Sequence, residues 1–363
     1  MRFQIKCSDL VSSVAIVERA ISTNDQTPAL TGLHLAARDN VLTLTANNLQ
    51  IAVQTKAPCE VLEPGEHLVS GRLFCELVRK LPVEMPVVVE RRDGQVLVSV
   101  DTMEFALNTI VDDEFPEYPS CQEKVISLTD YELERLIRNS VFAASNDEHK
   151  PIFQGVLMEI AEGAISFVAT DSNRLSYVRA QTGHAHVEHG EYIVPKINLI
   201  ELVRCLPMTE TQVEVFFGDN QLAFHFEDTI FTTRLIDGRF PRYRSVLYTD
   251  QETAFVIKRQ KLIQALERAA LFGRADEAPV LIQVNEGILE VATTSRLGKS
   301  QEQASVEQQG PGQQAAYAPK FLLDMLKTMG GEQVEFRFEG TRQALIKAVD
   351  SDDHLYVVMP MRI

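Results

Sequence analysis

Few residues in this chain are spaced for covalent or metal chemistry. Phosphate-cradling loops of the G-x-x-x-x-G-K-S/T and G-x-G-x-x-G types are absent, as are the nucleophile and zinc signatures G-x-S-x-G and H-E-x-x-H. The best metal candidate is the group His184, His186, Glu188 and His189. In an extended segment His184 and His186 would share a face, as a ligand pair requires, but the stretch is polar and runs into Gly190, so an exposed loop is the reading adopted. Two carboxylate clusters, Asp112-Asp113-Glu114 and Asp350, Asp352 and Asp353, could hold Mg²⁺ for phosphoryl transfer. Turns explain them more simply, because aspartate bonds nearby backbone amides there. The five cysteines (Cys7, Cys59, Cys75, Cys121, Cys205) are odd in number, widely spaced and without a C-x-x-C pair. They are expected to be free thiols in a reducing compartment. No catalytic residue, metal or cofactor is expected.

The elements that would position any site follow from an internal repeat. Glu76-Leu77-Val78-Arg79-Lys80-Leu81-Pro82 returns 125 residues later as Glu201-Leu202-Val203-Arg204-Cys205-Leu206-Pro207, identical at six of seven positions. A weaker third copy is Asp324-Met325-Leu326-Lys327-Thr328-Met329, and Val194-Pro195-Lys196 and Ala318-Pro319-Lys320 lead into the last two copies. Ile110 to Tyr118 answers to Leu235 to Tyr243, and Pro28, Pro151 and Pro279 mark one place in each unit. Near each unit's start lies an amphipathic helix, with Leu10, Val14 and Val17, then Leu133 and Ile137, then Leu262, Leu266 and Ala269 on its apolar face. Three units follow, 1–121, 122–249 and 250–363. Segments such as Val41 to Thr45, Val96 to Val100, Val213 to Phe217 and Val334 to Phe338 read as strands. Two helices and several strands per unit make an α+β domain in which helices pack on antiparallel sheets. The Gln-rich and Gly-rich stretch from Gln301 to Gln314 reads as a loop.

With 363 residues the chain exceeds what one core usually serves. No apolar run approaches the 18 or so residues of a membrane span, and the first residues lack the apolar region of an export signal, so a cytoplasmic protein is expected. The 35 basic and 51 acidic side chains leave a net charge of minus 16, which speaks against wrapping nucleic acid by charge alone. The charge is unevenly spread. The six expected helices (8–21, 70–81, 129–145, 195–206, 260–274, 319–329) hold 13 basic and 9 acidic residues, a balance of plus 4, so the remainder carries minus 20. Arg79, Arg204 and Lys327 recur at one repeat position, and a helical wheel turns Arg72 and Arg79 away from the apolar face of Phe74, Leu77, Val78 and Leu81. Helices lining a DNA-facing surface would show this pattern, and so would helices that simply tolerate Lys and Arg.

Taken with the closing Tyr356-Val357-Val358-Met359-Pro360-Met361-Arg362-Ile363, the segment Ala169-Thr170-Asp171-Ser172-Asn173-Arg174-Leu175 and Asp237-Gly238-Arg239-Phe240-Pro241, the repeat resembles the bacterial DNA polymerase III beta subunit, the replicative sliding clamp. The resemblance covers the whole chain. It implies three clamp domains per chain and a ring-shaped head-to-tail homodimer around double-stranded DNA, without sequence preference and with no membrane contact. Twelve helices at about 10 Å each would give an inner perimeter on the order of 120 Å and a hole roughly 38 Å across, wide enough for B-DNA and water. The resemblance also implies an apolar pocket that takes a short peptide from the polymerase III alpha subunit, the clamp loader, other DNA polymerases and repair proteins. Carried across by motif, it comprises Phe153, Thr170, Asn173, Arg174, Leu175, Pro241, Ser245, Val246, Val358, Met359, Pro360, Met361 and Arg362. Flexible, polarizable methionines suit a groove with several partners. From the residues alone the same tail reads as a buried edge strand.

DNA-facing residues would be Arg72, Arg79, Lys196, Arg204, Lys320 and Lys327, and the ring interface would match Phe105 and Leu107 with Leu271 and Phe272. Ser172-Asn173 stands where many family members have Gly-His, and Ser245 where they have Arg. The residues leave two other readings: a stand-alone peptide-binding module, and a carboxylate-metal enzyme acting on nucleic acid.

Overall fold

Alternating apolar and polar side chains give each strand one face for a core. Gln333–Phe338 buries Val334, Phe336 and Phe338 completely and exposes Gln333, and Gln212–Gly218 buries Val213, Val215 and Phe217 in the same rhythm. The computed structural model describes these and all other residues except 25, 111–114, 117, 120, 122, 162, 183–189, 219, 248–250, 274–277 and 363. The carboxylates Asp112, Asp113 and Glu114 and the histidines His184, His186 and His189 with Glu188 therefore lie outside the described residues. The chain folds as two units, residues 1–133 with 197–235 and residues 134–196 with 236–363.

Seven helices occur among the described residues: α1 (Cys7–Val17), α2 (Gly71–Val78), α3 (Asp130–Val141), α4 (Lys196–Cys205), α5 (Arg244–Leu247), α6 (Arg259–Gly273) and α7 (Pro319–Thr328). Six correspond to the helices expected from periodicity; α5, a single turn, is too short to carry any. On α2, Phe74, Cys75 and Val78 are buried and Arg72 and Arg79 exposed. The start of α3 is fixed by a reciprocal cap: Glu132 accepts the Thr129 amide at 3.0 Å while the Thr129 hydroxyl accepts the Glu132 amide at 3.2 Å. No helix among the described residues is long and apolar enough to cross a membrane.

The sheets are antiparallel, and they run across the repeats. In the first unit an eight-stranded sheet pairs Ile51–Pro58 of repeat one with Thr229–Arg234 of repeat two, Val53 opposite Phe231 and Thr55 opposite Thr229. A five-stranded sheet in the same unit ends at Met103–Asn108. In the second unit a nine-stranded sheet pairs Arg174–Gln181 of repeat two with His354–Val358 of repeat three, Leu175 opposite Val357. A four-stranded sheet there ends at Gly298–Ser305. Each junction between successive repeats is thus a seam inside one sheet, which is why repeat two is shared between the units.

Two expectations need correction. Most of the stretch from Gln301 to Gln314 is strand, in Gly298–Ser305, Glu307–Gln309 and Gln313–Tyr317, and a turn remains only around Gly310, whose φ of 82° suits glycine. Gly298–Ser305 is a sheet edge with no fully buried residue and only Ala304 packed against the core, so its alternation lacks the large apolar residues that would have revealed it. The tail strand His354–Val358 is buried but central, between Arg174–Gln181 and Ala344–Ala348. Periodicity reports burial and cannot tell an edge from a centre.

A buried polar pair locks this second seam. The Ser176 hydroxyl donates to the Asn139 carbonyl at 2.5 Å, so His354 Nε2, 3.0 Å away, carries the hydrogen it donates to Ser176 Oγ. Burial, reinforced by the charge of Arg135, holds the His354 imidazolium pKa down to about 3. The unfolded chain, with a histidine pKa near 6.5, takes up the proton first. Stability from this residue is present above that value and falls as pH drops towards 3, by about 1.4 kcal/mol per pH unit at full slope. Urea midpoints at pH 7.5, 5.5 and 4.5 should therefore fall more steeply for the natural protein than for His354→Gln; parallel slopes would contradict this account.

Candidate peptide-binding groove

The register of the tail strand decides where the C-terminal residues go. Arg174 opposite Val358 is the last pair of the seam. Beyond it the Met359 amide donates to the Asn173 carbonyl at 2.8 Å and the Met361 amide to the Ala316 carbonyl at 2.7 Å, with Pro360, which has no amide hydrogen, between them. The backbone is tied on alternate sides while Met359 and Met361 stay 44% and 42% exposed. With Asn173, Pro360 and Arg362, with Ala270 on α6, and with Pro319, Lys320 and Phe321 at the start of α7, they line a groove of about 660 Å³.

A tight turn before Arg174 shapes one wall. Asp171 Oδ1 accepts the amides of Asn173 and Arg174 at 3.0 and 3.1 Å, and the Thr170 hydroxyl donates to the Arg174 carbonyl at 2.6 Å. This permits Ser172 a φ of 81°. The Arg174 side chain is buried and fully engaged: Nε donates to Asp171 at 2.9 Å, Nη1 to Asp324 on α7 at 2.8 Å and Nη2 to the Phe142 carbonyl at 2.6 Å. Its guanidinium lies 4.4 Å from the centre of the Phe321 ring. Burial opposes the charge, yet the Asp324 hydrogen bond and the neighbouring carboxylates outweigh it and raise the Arg174 pKa. Arg174 is a strut of the groove wall.

The other expected pocket residues divide. Leu175 and Val246 join an apolar cluster with Tyr177, Tyr243, Leu345 and Val357, and Val358 is wholly buried in the core beneath α7. Pro241 and Ser245 line a second cavity of about 730 Å³ with Arg239, Phe240, Arg242 and Tyr243. In its lining the buried Glu159 accepts hydrogen bonds from the Tyr243 hydroxyl and, at 2.8 Å, from Arg244. Thr170 and Phe153 line neither space: Thr170 is buried in its turn, and the Phe153 carbonyl accepts the Ser145 amide at 2.8 Å. Sequence reasoning missed Ala270, Pro319 and Phe321 as lining residues, although the repeated Ala318-Pro319-Lys320 lead-in marks the place.

The six basic residues expected to face DNA also differ in what they touch. Arg79 is ion-paired with Glu18, Arg204 with Glu201 at 2.6 Å and Lys327 with Glu267 at 2.7 Å, whereas Arg72 is exposed with no described partner. Lys196 turns inward: its ammonium donates to the Ser145 carbonyl at 2.6 Å and to Asn146, and burial together with the Arg174 charge lowers its pKa. Lys320 is exposed at the groove. Of the expected interface residues, Phe105 is 36% exposed on its edge strand and Leu271 54% exposed on α6, Phe272 is half-buried, and Leu107 is only 3% exposed within its own unit. Asp352 is paired with Lys347 at 2.5 Å, and no group of metal-binding side chains occurs among the described residues. All five cysteines are free thiols; burial pushes Cys75 and Cys205 up to about 12, so they stay protonated.

Three family models cover almost the whole chain: the DNA polymerase III beta subunit N-terminal domain over residues 1–119, its central domain over 127–242 and its C-terminal domain over 244–362. The chain belongs to the DNA polymerase III beta subunit family. Among curated relatives it is 28% identical to the beta sliding clamp of Bacillus subtilis and 29% identical to that of Vibrio cholerae, over the full length of both proteins in each case. The crystal structure of the Bacillus subtilis DNA polymerase sliding clamp matches with a TM-score of 0.96 at 27% identity, covering 100% of this chain and 99% of that one. A Pseudomonas aeruginosa sliding clamp solved with griselimycin bound matches with a TM-score of 0.95 at 27% identity over all of both chains. By family and fold, three α+β clamp domains in one chain, this is a DNA sliding clamp.

Replacing the strut tests the groove wall. Arg174→Ala leaves Asp324 and the Phe142 carbonyl without their partner and should cost about 3 kcal/mol of unfolding free energy. Arg174→Lys should recover only part of this, since an ammonium cannot satisfy three partners in one plane. Urea titration reads both; an unchanged midpoint for Arg174→Ala would refute the assignment.

Proposed function

We propose that this chain acts without catalysis of its own, as a processivity factor that closes into a homodimeric ring around duplex DNA in the cytoplasm. On this reading its domains are 1–121, 122–249 and 250–363. The observation that carries the ring is the pattern of sheet edges. Ile51–Pro58 ends a four-strand half-sheet in repeat one and pairs with Thr229–Arg234 of repeat two. Arg174–Gln181 occupies the same place in repeat two and pairs with His354–Val358 of repeat three. The equivalent strand of repeat three, Gly298–Ser305, and the equivalent partner strand of repeat one, Met103–Asn108, both stand at sheet edges. A second copy supplies each with the partner its position calls for, head to tail. Joining the four-stranded and five-stranded halves gives a sheet of nine strands, the count already seen at the second seam. Phe105 and Leu271, both exposed, would be covered by this closure, with Phe272 beside them.

In such a ring Arg72, Arg79, Arg204 and Lys327 are the residues proposed to face DNA. The groove of Asn173, Met359, Pro360, Met361 and Arg362 is proposed to take a short apolar peptide of the polymerase III alpha subunit, the clamp loader, other polymerases or repair proteins. Its support is an exposed pair of methionines on a fixed backbone, an adaptable apolar surface where solvent would otherwise be. Tethering would work by effective concentration.

The native mass should be twice 40.7 kDa, about 81 kDa, and Phe105→Arg combined with Leu271→Arg should bring it down to that of one chain. The natural protein, loaded on nicked circular DNA, should be retained until the circle is cut. Equal retention on linear DNA, or a native protein of one chain, would overturn the proposal.

A further inference from the structure

We infer that the first seam carries a docking pocket of its own, which takes a short extended peptide by one apolar side chain set against Leu49 and one carboxylate set on Arg234. The pocket is separate from the groove at the tail and stands without that reading. Its construction follows from a turn that both seams share. Asn48 Oδ1 accepts the amides of Gln50 and Ile51 at 3.0 and 2.9 Å, as Asp171 Oδ1 does for Asn173 and Arg174. The Asn47 side chain accepts the Leu49 amide at 2.8 Å, as the Thr170 hydroxyl accepts that of Ser172 at 3.2 Å. Both turns put their third residue in the left-handed region, Leu49 at a φ of 69° and Ser172 at 81°. Beyond each turn one amide crosses the seam, from Arg234 to the Gln50 carbonyl at 3.0 Å and from Met359 to the Asn173 carbonyl at 2.8 Å. Where the second seam presents a thioether, the first presents a guanidinium.

Leu49 is the residue that the fold alone does not call for. The left-handed conformation suits glycine or asparagine and strains a leucine, and this leucine is also 50% exposed. Strain and exposed apolar surface at one position mark a place that a ligand completes. Around it Pro116 and Pro119 extend the apolar surface, while Gln50, Asn220 and Gln221 bring amides that can both donate and accept, in a cavity of about 270 Å³. Pockets for whole small molecules begin at about 300 Å³. This one therefore suits a single side chain of a longer ligand, with the amides left to bond its backbone. Arg234 is the charged side chain in the described lining, is exposed and forms no described ion pair. An uncharged ligand covering it would strip its water and return nothing. A carboxylate returns a charge-assisted pair of hydrogen bonds that the planar guanidinium is shaped to make.

The test uses the full-length protein carrying Met359→Lys and Met361→Lys, which closes the tail groove to apolar peptides, with circular dichroism unchanged. The probes are dye-labelled pentapeptides, amidated at the C-terminus, with a central Leu beside Asp, Asn or Lys. By fluorescence anisotropy at low salt, the Asp peptide should bind roughly three to ten times more tightly than the Asn peptide, and the Lys peptide more weakly than both. Arg234→Gln should remove that advantage and Arg234→Lys should keep part of it. Leu49→Asn should weaken the Asp peptide roughly tenfold and leave the urea midpoint unchanged or higher, because asparagine tolerates the left-handed conformation. Equal affinity for the Asp and Asn peptides, or binding that survives Leu49→Asn, would overturn the inference. Peptides that bind the natural protein but not the Met359, Met361 variant would overturn it too, and would leave the tail groove reading intact. An oligothymidylate that displaces the Asp peptide through Arg234 would decide against it, in favour of nucleic acid.

Discussion

An unpaired sheet edge is the constraint on which the remaining structure depends. A strand at an edge leaves a row of amides and carbonyls without protein partners, and each repeat of this chain has one such edge on either side. Two of the junctions are closed within the chain, by Ile51–Pro58 against Thr229–Arg234 and by Arg174–Gln181 against His354–Val358. This pairing draws the two halves of repeat two into different units. Compactness in this molecule therefore follows hydrogen-bonded sheets, and the sequence repeat is a record of similar pieces.

Register matters at such a seam because a slip by one residue turns every side chain to the other face. Both seams carry a buried polar contact that penalises a slip. Thr55 and Thr229 share a hydroxyl hydrogen bond of 2.9 Å, and Ser176 meets His354 at 3.0 Å. A shifted strand would leave these groups buried and unbonded, at a cost of about 1–3 kcal/mol each. The second seam's register has a further consequence. It sets Val358 opposite Arg174, so Met359 becomes the first residue beyond the sheet and meets the Asn173 turn. The groove is where an orderly seam runs out.

Much of this was legible in the sequence. The repeated Glu-Leu-Val-Arg segment located the second helix of each repeat, and apolar spacing located the first. What stayed hidden was relational. Nothing in the composition of His354 to Val358 says that strands lie on both sides of it. Gly298–Ser305 escaped notice because an exposed edge strand need not be apolar, and α5 because one turn has no period. In the site, Met359 and Met361 were readable from the tail. Arg174 was expected at the pocket, but its commitment to Asp171, Asp324 and the Phe142 carbonyl depends on partners up to 150 residues away. The burial of Leu107 was hidden for the same reason, since it depends on the core of its own unit.

The distribution of charge follows from these contacts. The helices carry a balance of plus 4 by count, but Arg79, Arg204 and Lys327, which recur at one repeat position, are each paired with a glutamate. Exposed pairs of this kind are worth little to stability, so their main effect is to mute the positive field of the helices. For a protein that must hold DNA tightly by contact this would be a defect, since affinity there grows with the number of phosphates neutralised. For a closed ring it is the appropriate arrangement. Retention then comes from topology, and each further unpaired arginine would add a contact that has to be broken whenever the ring moves along the duplex.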